Sequence, residues 1–159
     1  LTSTWVTSVP TAEAMPAGID RRPGLQQQGA MAPFTVLDGG TPVGMSTYMN
    51  IDAANRRLEI GSTWLSPAVQ GTRVNPEAKL LMLSRAFEEL GCIAVEFRTH
   101  FHNFQSRAAI AKLGAKQDGV LRSHQLFNGV LRDTAVYSII AAEWPTVKLG
   151  LEHRLARLS

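Results

Sequence analysis

The chain has 159 residues, of which 45% are hydrophobic and 18% are charged. This length suits one domain with its own core, and the composition excludes a disordered or fibrous chain. The 16 basic and 13 acidic residues leave a formal net charge of +3. An excess this small, scattered along the chain and without an evident set of stacking aromatic residues, argues against nucleic acid as a partner.

Cys92 is the single cysteine of the sequence, which excludes an internal disulfide framework and a cysteine-rich zinc site. We therefore expect no metal and a reducing, cytoplasmic location. No run of about 18 apolar residues predicts a membrane span. The first residues show neither the basic nor the apolar region of a signal peptide.

Residues 1–32 are predicted to be irregular, because prolines and glycines interrupt them and at most one short helix fits, around Thr11 to Ile19. From residue 33 onward, alternating apolar residues predict strands and apolar residues three and four apart predict helices. The predicted strands are Phe34–Leu37, Pro42–Ile51, Leu58–Leu65, Cys92–Arg98, Gln117–Leu126 and Val130–Ile140, and the helices are Pro76–Leu90, Asn103–Leu113 and Glu143–Leu158.

The order of these elements, β-β-β-α-β-α-β-β-α, predicts an α+β fold with a mixed sheet. If the strands on either side of the first helix are parallel, residues 58–98 form a right-handed crossover. The helical stripe of Leu80, Leu83, Phe87 and Leu90 is interpreted as core.

The connection between the third strand and the first helix, Ser66 to Pro76, is a candidate anion site. Backbone N–H groups at a helix N-terminus lack intrahelical partners and lie at the positive end of the helix dipole, so they bind phosphates. The alternative is an ordinary strand–helix connection.

Three local patterns in this order resemble the GCN5-related N-acetyltransferase superfamily, and within it the RimJ/RimL-like branch. The first is Glu59-Ile60-Gly61-x-x-Trp64-Leu65-Ser66-Pro67, which looks like the fourth strand of the family. The second is Gln70-x-x-Arg73-x-Asn75, which falls on the pyrophosphate signature. The third is Asn103-x-x-Ser106 followed by Lys112-Leu113-Gly114-Ala115. The resemblance covers roughly Pro33 to Trp144.

The resemblance implies an acetyltransferase domain over residues 33–159, with a mostly antiparallel central sheet flanked by helices. It implies transfer of the acetyl group of acetyl-CoA to a primary amine, a protein N-terminus or a small molecule, by direct attack in a ternary complex. A homodimer is a further expectation. The first strand of the family is expected upstream of Leu1 or absent.

An alternative is a degenerate module that binds an acyl-CoA without transferring it. The reason is that Arg73 and Asn75 occupy positions where the signature has glycine or alanine. Glycine lets the backbone approach a phosphate and adopt positive φ, whereas arginine offers a guanidinium for a phosphate instead.

The resemblance also assigns site residues. Cofactor contacts are expected from Thr63, Trp64 and Leu65 through backbone N–H groups, from Gln70, Gly71, Thr72, Arg73, Val74 and Asn75 in the loop, and from Asn103, Ser106 and Arg107. The backbone N–H groups around Thr63 to Leu65 are also expected to stabilise the tetrahedral oxyanion. Ser106 is also the candidate hydrogen-bond donor to the leaving thiolate, because Ile110 stands where many relatives have a tyrosine.

Glu59 is the leading candidate for the general base, and Glu96 is the second. The alternatives are a surface carboxylate pairing with Arg56 or Arg57 for Glu59, and a structural ion pair across the sheet for Glu96. His100 and His102 are interpreted as loop-ordering or solvent-facing residues.

Overall fold

The computed structural model describes residues 31–158, which form a six-stranded sheet and three α-helices. The strands are β1 (Met31–Asp38), β2 (Thr41–Asp52), β3 (Arg57–Leu65), β4 (Ala94–His100), β5 (Lys116–Phe127) and β6 (Val130–Ile140). The helices are α1 (Val74–Ser84), α2 (Phe104–Lys112) and α3 (Trp144–Arg157). Short 3₁₀ turns cover Pro67–Val69 and Ala141–Glu143. The short helix predicted at residues 11–19 lies outside the described residues.

The strand order in the sheet is β1-β2-β3-β4-β6-β5, and every neighbouring pair is antiparallel except β3 and β4. This confirms the predicted α+β fold with a mixed, mostly antiparallel sheet, and it shows that the strands on either side of the first helix are parallel. The first strand begins at Met31, earlier than the predicted Phe34, and the turn at Gly39 and Gly40 uses positive φ angles of 58° and 85°.

The parallel pair β3 and β4 separates soon after it begins. The two strands share the register pairs Arg57–Ala94, Leu58–Val95 and Glu59–Glu96, and both then continue without pairing to each other. Since consecutive residues of a strand project to opposite faces, Leu58 joins the core and Glu59 faces the other side. The diverging strand ends leave a cleft in the middle of the sheet.

A β-bulge interrupts β3 beside this cleft. Met45 pairs with Trp64 and Thr47 pairs with Gly61, so two steps along β2 match three steps along β3. Ser62 takes up the extra residue with a φ of +48°. A bulge frees backbone groups from the ladder and redirects the side chains that follow it.

The hydrophobic core lies between one face of the sheet and the three helices. Val95, Ile139, Leu83 and Leu151 are nearly or completely buried there. None of the helices within residues 31–158 is long and apolar enough to cross a membrane.

The prediction of one apolar stripe along the first helix is wrong at its end. Leu83 is fully buried, but Leu90 is 49% exposed, and Leu80 and Phe87 are only partly buried. A π-helical turn at Arg85–Glu89 adds a residue to the turn, and Leu90, which follows it, is rotated away from the core.

Substitution of neighbouring leucines on α1 tests this packing. Leu83→Ala is expected to lower the free energy of unfolding by about 2–5 kcal/mol, because it leaves a cavity in the core. Leu81→Ala, at a side chain that is 67% exposed, is the matched control and is expected to change it by less than about 0.5 kcal/mol. Urea unfolding followed by circular dichroism measures both, and equal losses would contradict the assigned orientation of α1.

Candidate active site

A cavity of about 590 Å³ opens where β3 and β4 diverge. On the helix side of the sheet its walls include Asn75 of α1 and Asn103 and Ser106 of α2. On the other side they include Glu59 and Arg132. The cavity therefore joins the two faces of the sheet, with polar helix N-termini at one end and a buried carboxylate at the other.

The loop before α1 is ordered by its own polar side chains. The side-chain amide of Gln70 donates to the carbonyl oxygen of Leu65 at 3.1 Å. The hydroxyl of Thr72 donates to the carbonyl oxygen of Val69 at 2.6 Å and accepts the N–H of Val74 at 3.3 Å. These contacts fix the first turn of α1 beside the cavity.

The backbone conformation explains how the loop accommodates Arg73. The residue with positive φ is Gly71, at +74°, whereas Arg73 has φ −67° and ψ −14°, which any residue adopts. Its guanidinium lies 3.2 Å from the carboxylate of Glu77, and both side chains are about half exposed. An exposed ion pair of this kind is weak, so a bound phosphate can compete for Arg73.

Asn75 offers a direct test of whether the cavity fits a polar ligand. Its side-chain oxygen is buried and has no hydrogen-bond partner within residues 31–158, although the residue lines the cavity. A buried acceptor without a partner costs about 1–3 kcal/mol. A ligand that donates a hydrogen bond here, as an amide N–H of pantetheine would, removes that cost.

The second helix N-terminus carries the other predicted cofactor residues. Asn103 caps α2, since its side-chain oxygen accepts the N–H of Ser106 at 3.1 Å. The Ser106 side chain makes no such bond to Asn103, and both residues line the cavity together with Ile110. Thr63 and Trp64 line it from β3, whereas Leu65 does not.

Arg107 is held by the fold. Its guanidinium donates to the hydroxyl of Tyr137 at 2.9 Å and to the carbonyl oxygen of Phe101 at 3.0 Å, and it stacks over the Phe101 ring at 4.4 Å. Arg107 is absent from the cavity wall, so these contacts give it a structural role.

Glu59 is the carboxylate that faces the cavity. It is only 7% exposed, and the side-chain amide of Asn50 donates to it at 3.2 Å. Burial raises the pKa of Glu59 from 4.5 to about 7, with nearby Glu96 acting in the same direction and Arg98 opposing it. The alternative of a surface carboxylate paired with Arg56 or Arg57 is wrong, because Glu59 is buried and its ion pair is with Arg98, at 3.9 Å. Arg57 pairs with Glu96 instead.

Glu96 occupies a different environment. Its carboxylate lies 3.3 Å from the guanidinium of Arg57 and also pairs with Arg98. It does not line the cavity. This arrangement matches the structural alternative considered for Glu96.

Sequence reasoning missed Lys79, which lines the cavity from α1. It is 6% exposed, and its ammonium donates to the hydroxyls of Ser46 at 3.1 Å and Thr63 at 3.0 Å. Burial lowers the pKa of Lys79 from 10.5 to about 8. A signal did exist: Lys79 lies three and four residues before the buried Met82 and Leu83, on the apolar face of the helix.

The side chain of His100 is buried, lines the cavity and orders its loop, whereas His102 is exposed. The Nδ1 atom of His100 accepts the backbone N–H of His102 at 3.0 Å, and burial lowers the pKa of His100. No group of three or more metal-ligating His, Cys, Asp or Glu side chains occurs in the part of the chain that the structure describes.

Known proteins share both the sequence pattern and the fold. A family model described as "Acetyltransferase (GNAT) domain" matches residues 2–116. The chain is 31% identical over 109 residues to "Putative ribosomal N-acetyltransferase YdaF" of Bacillus subtilis (strain 168). That match covers 69% of this chain and 59% of YdaF, so the chain spans less than two thirds of the length of this relative.

Two solved structures illustrate the similarity in fold. A GCN5-related N-acetyltransferase from Brucella melitensis has a TM-score of 0.86 and 30% identity, covering 95% of this chain and 69% of that one. RimJ of Mycobacterium smegmatis, in complex with CoA-disulfide, has a TM-score of 0.78, covering 95% of this chain and 75% of that one. At 23% identity, RimJ shows the fold alone.

The environment of Glu59 has a consequence for stability. With a folded-state pKa of about 7 against an ordinary 4.5, the folded protein binds more protons than the unfolded chain between these values. The free energy of unfolding of the wild type should therefore fall, relative to Glu59→Gln, as the pH rises through this range.

Urea unfolding of both proteins at about pH 5 and about pH 8 measures the difference. Glu89→Gln, at a side chain that is 72% exposed, controls for the loss of a surface carboxylate. A difference between wild type and Glu59→Gln that is the same at both pH values would contradict the buried, protonated state of Glu59.

Proposed function

The chain belongs to the GNAT acetyltransferase family, and on this premise we propose that it transfers the acetyl group of acetyl-CoA to a primary amine by direct attack in a ternary complex. The observation that carries the proposal is the cavity at the divergence of β3 and β4. It has two helix N-termini at one end and the buried carboxylate of Glu59 at the other.

The helix end suits the cofactor. The N-terminus of α1, which begins at Val74, is a position where an anion such as pyrophosphate is favoured. The backbone N–H groups of Gln70, Thr72 and Val74 already donate within the loop that leads to it. Asn75 and Asn103 bring amide groups to the cavity wall, and Ser106 brings a hydroxyl near the start of α2. Arg73 is proposed to exchange Glu77 for a phosphate, and the proposal leaves Arg107 out of the site.

Acetyl-CoA supplies an activated acetyl group; the lone pair of an amine attacks its carbonyl carbon, and the thiolate then leaves. Glu59 is proposed to act as the general base that accepts the proton lost by the amine. A base works best when its pKa lies near the working pH, and burial brings the pKa of Glu59 to about 7. The hydroxyl of Ser106 is proposed to donate a hydrogen bond to the thiolate.

The charges around Glu59 favour particular acceptors. Arg98 lies 3.9 Å from the Glu59 carboxylate, and Arg132 lines the same end of the cavity. Two guanidinium groups disfavour an acceptor that carries several positive charges. An α-amine with a pKa of about 8 is also easier to deprotonate than a lysine-like amine with a pKa of about 10.4.

We therefore propose a protein or peptide N-terminus as the acceptor. The relative described as a ribosomal N-acetyltransferase supports this choice and the RimJ-like branch. The buried free thiol of Cys92 is compatible with a reducing cytoplasm, where the reaction is proposed to take place.

Kinetics of two carboxylate variants test the role of Glu59. Glu59→Gln is expected to lower kcat/KM about 100-fold or more, because the general base is lost. In the wild type, kcat/KM is expected to increase as the pH rises towards about 7, as Glu59 loses its proton. Initial rates of peptide acetylation at saturating acetyl-CoA measure both effects.

Glu96→Gln removes the neighbouring carboxylate and is the matched comparison. A larger loss in Glu96→Gln than in Glu59→Gln would move the base to Glu96. If acetyl-CoA binds but no amine in a broad panel is acetylated, the acyl-CoA-binding module is the better description and the transferase proposal fails.

A further inference from the structure

Beneath the bulge of β3 lies a buried hydroxyl–lysine cluster, formed by Ser46, Thr63 and Lys79. The Lys79 ammonium is 3.1 Å from the Ser46 hydroxyl and 3.0 Å from the Thr63 hydroxyl, and the two hydroxyls are 2.8 Å apart. Ser46 is 0% exposed and Lys79 is 6% exposed. Within residues 31–158, Lys79 forms no ion pair with a carboxylate.

The protons of the cluster can be counted. A lysine ammonium only donates, so both hydroxyl oxygens accept from Lys79. One hydroxyl proton is used in the bond between Ser46 and Thr63, and the other remains. Ser46 is fully buried, and the hydrogen bonds of its hydroxyl within residues 31–158 are those to Thr63 and Lys79. The arrangement of lowest free energy is therefore that the Ser46 hydroxyl donates to the Thr63 hydroxyl. The hydroxyl proton of Thr63 then has no acceptor within the cluster.

The remaining proton has an outlet in the cavity. Thr63 and Lys79 both line the cavity, whereas Ser46 does not. The ammonium also has three protons and only two acceptors in the cluster, so its third N–H is available at the same wall. A hydroxyl proton and a positive charge thus meet the cavity beside Ser62, where β3 leaves its ladder.

Packing alone does not account for a lysine at this position. Replacing a buried charge by an apolar side chain of similar volume is often neutral or stabilising. A buried ammonium without a carboxylate partner becomes favourable when negative charge develops on an oxygen next to it. Hydrogen-bond donors in a low-dielectric site stabilise that developing charge strongly.

We propose that the hydroxyl of Thr63 is a catalytic hydrogen-bond donor to the acetyl carbonyl oxygen of acetyl-CoA, and that Lys79 is a positioning residue that orients and polarises this hydroxyl. The inference rests on the proposed use of acetyl-CoA. As the nitrogen–carbon bond forms, the carbonyl π electrons move to the oxygen, which Thr63 stabilises without transferring its proton. These electrons re-form the carbonyl as the carbon–sulfur bond breaks, and the sulfur leaves with its electron pair.

The test compares two ligands that differ at this carbonyl. Acetyl-CoA has a thioester carbonyl, and S-ethyl-CoA has a methylene group in its place. We expect the wild type to bind acetyl-CoA about three- to tenfold more tightly than S-ethyl-CoA, as one hydrogen bond would provide. Thr63→Val should bring the two affinities together by weakening acetyl-CoA alone, and isothermal titration calorimetry measures both.

Two further variants make the result specific. Thr63→Ser retains a hydroxyl and should retain most of the preference for acetyl-CoA. Lys79→Met replaces the ammonium by an apolar chain of similar length and should reduce the preference. In peptide acetylation, Thr63→Val should lower kcat about 100-fold without raising the Kd of S-ethyl-CoA.

Each of the contrary results overturns the inference and shows which part of it fails. A wild type that binds both ligands equally, or a Thr63→Val that keeps the wild-type preference, removes Thr63 from the carbonyl while leaving the proposed cofactor in place. Equal weakening of both ligands by Thr63→Val shows a structural role. If the wild type binds neither ligand, the proposed function fails together with the inference. If Lys79→Met does not fold, the comparison of Thr63→Val with Thr63→Ser still shows whether the Thr63 hydroxyl binds the carbonyl oxygen.

Discussion

The parallel pairing of β3 and β4 ends after Glu59 and Glu96. The rest of the site depends on this early end of the pairing. Strands that stay paired would close the middle of the sheet, whereas these two diverge and leave a cavity of about 590 Å³. Because each of the two strands is followed by a helix on the same face, the N-termini of α1 and α2 both reach the cavity. The topology thus brings anion-binding backbone groups to a gap in the sheet.

The same low-polarity surroundings act on two ionisable groups in opposite directions. Burial raises the pKa of the Glu59 carboxyl to about 7 and lowers the pKa of the Lys79 ammonium to about 8. The two groups approach the cavity from opposite faces of the sheet. A proton acceptor and a cation, each with a pKa near neutral pH, therefore lie on either side of the region in which the amine and the thioester are proposed to meet.

Much of this architecture follows from local sequence patterns. Apolar periodicity and glycine turns predicted every strand and α-helix of residues 31–158. The strand–helix–strand order allowed a parallel pair, but only the structure shows that β3 and β4 are parallel. The π-helical turn after α1 was missed because it leaves no clear local signature. The contacts of Lys79 and Glu59 were missed because they depend on register: Ser46, Thr63 and Arg98 are distant in sequence and meet only when the sheet forms.

Coenzyme A is proposed to occupy the cleft between β3 and β4, and backbone amide NMR shifts during a titration with coenzyme A report which residues it contacts. We expect large shifts at Thr63, Asn75 and Asn103, which line the cavity, and none at Leu149 and Leu158, exposed residues at the far end of the chain on and just after α3. Shifts confined to α3, or no shifts at millimolar ligand, would contradict this placement.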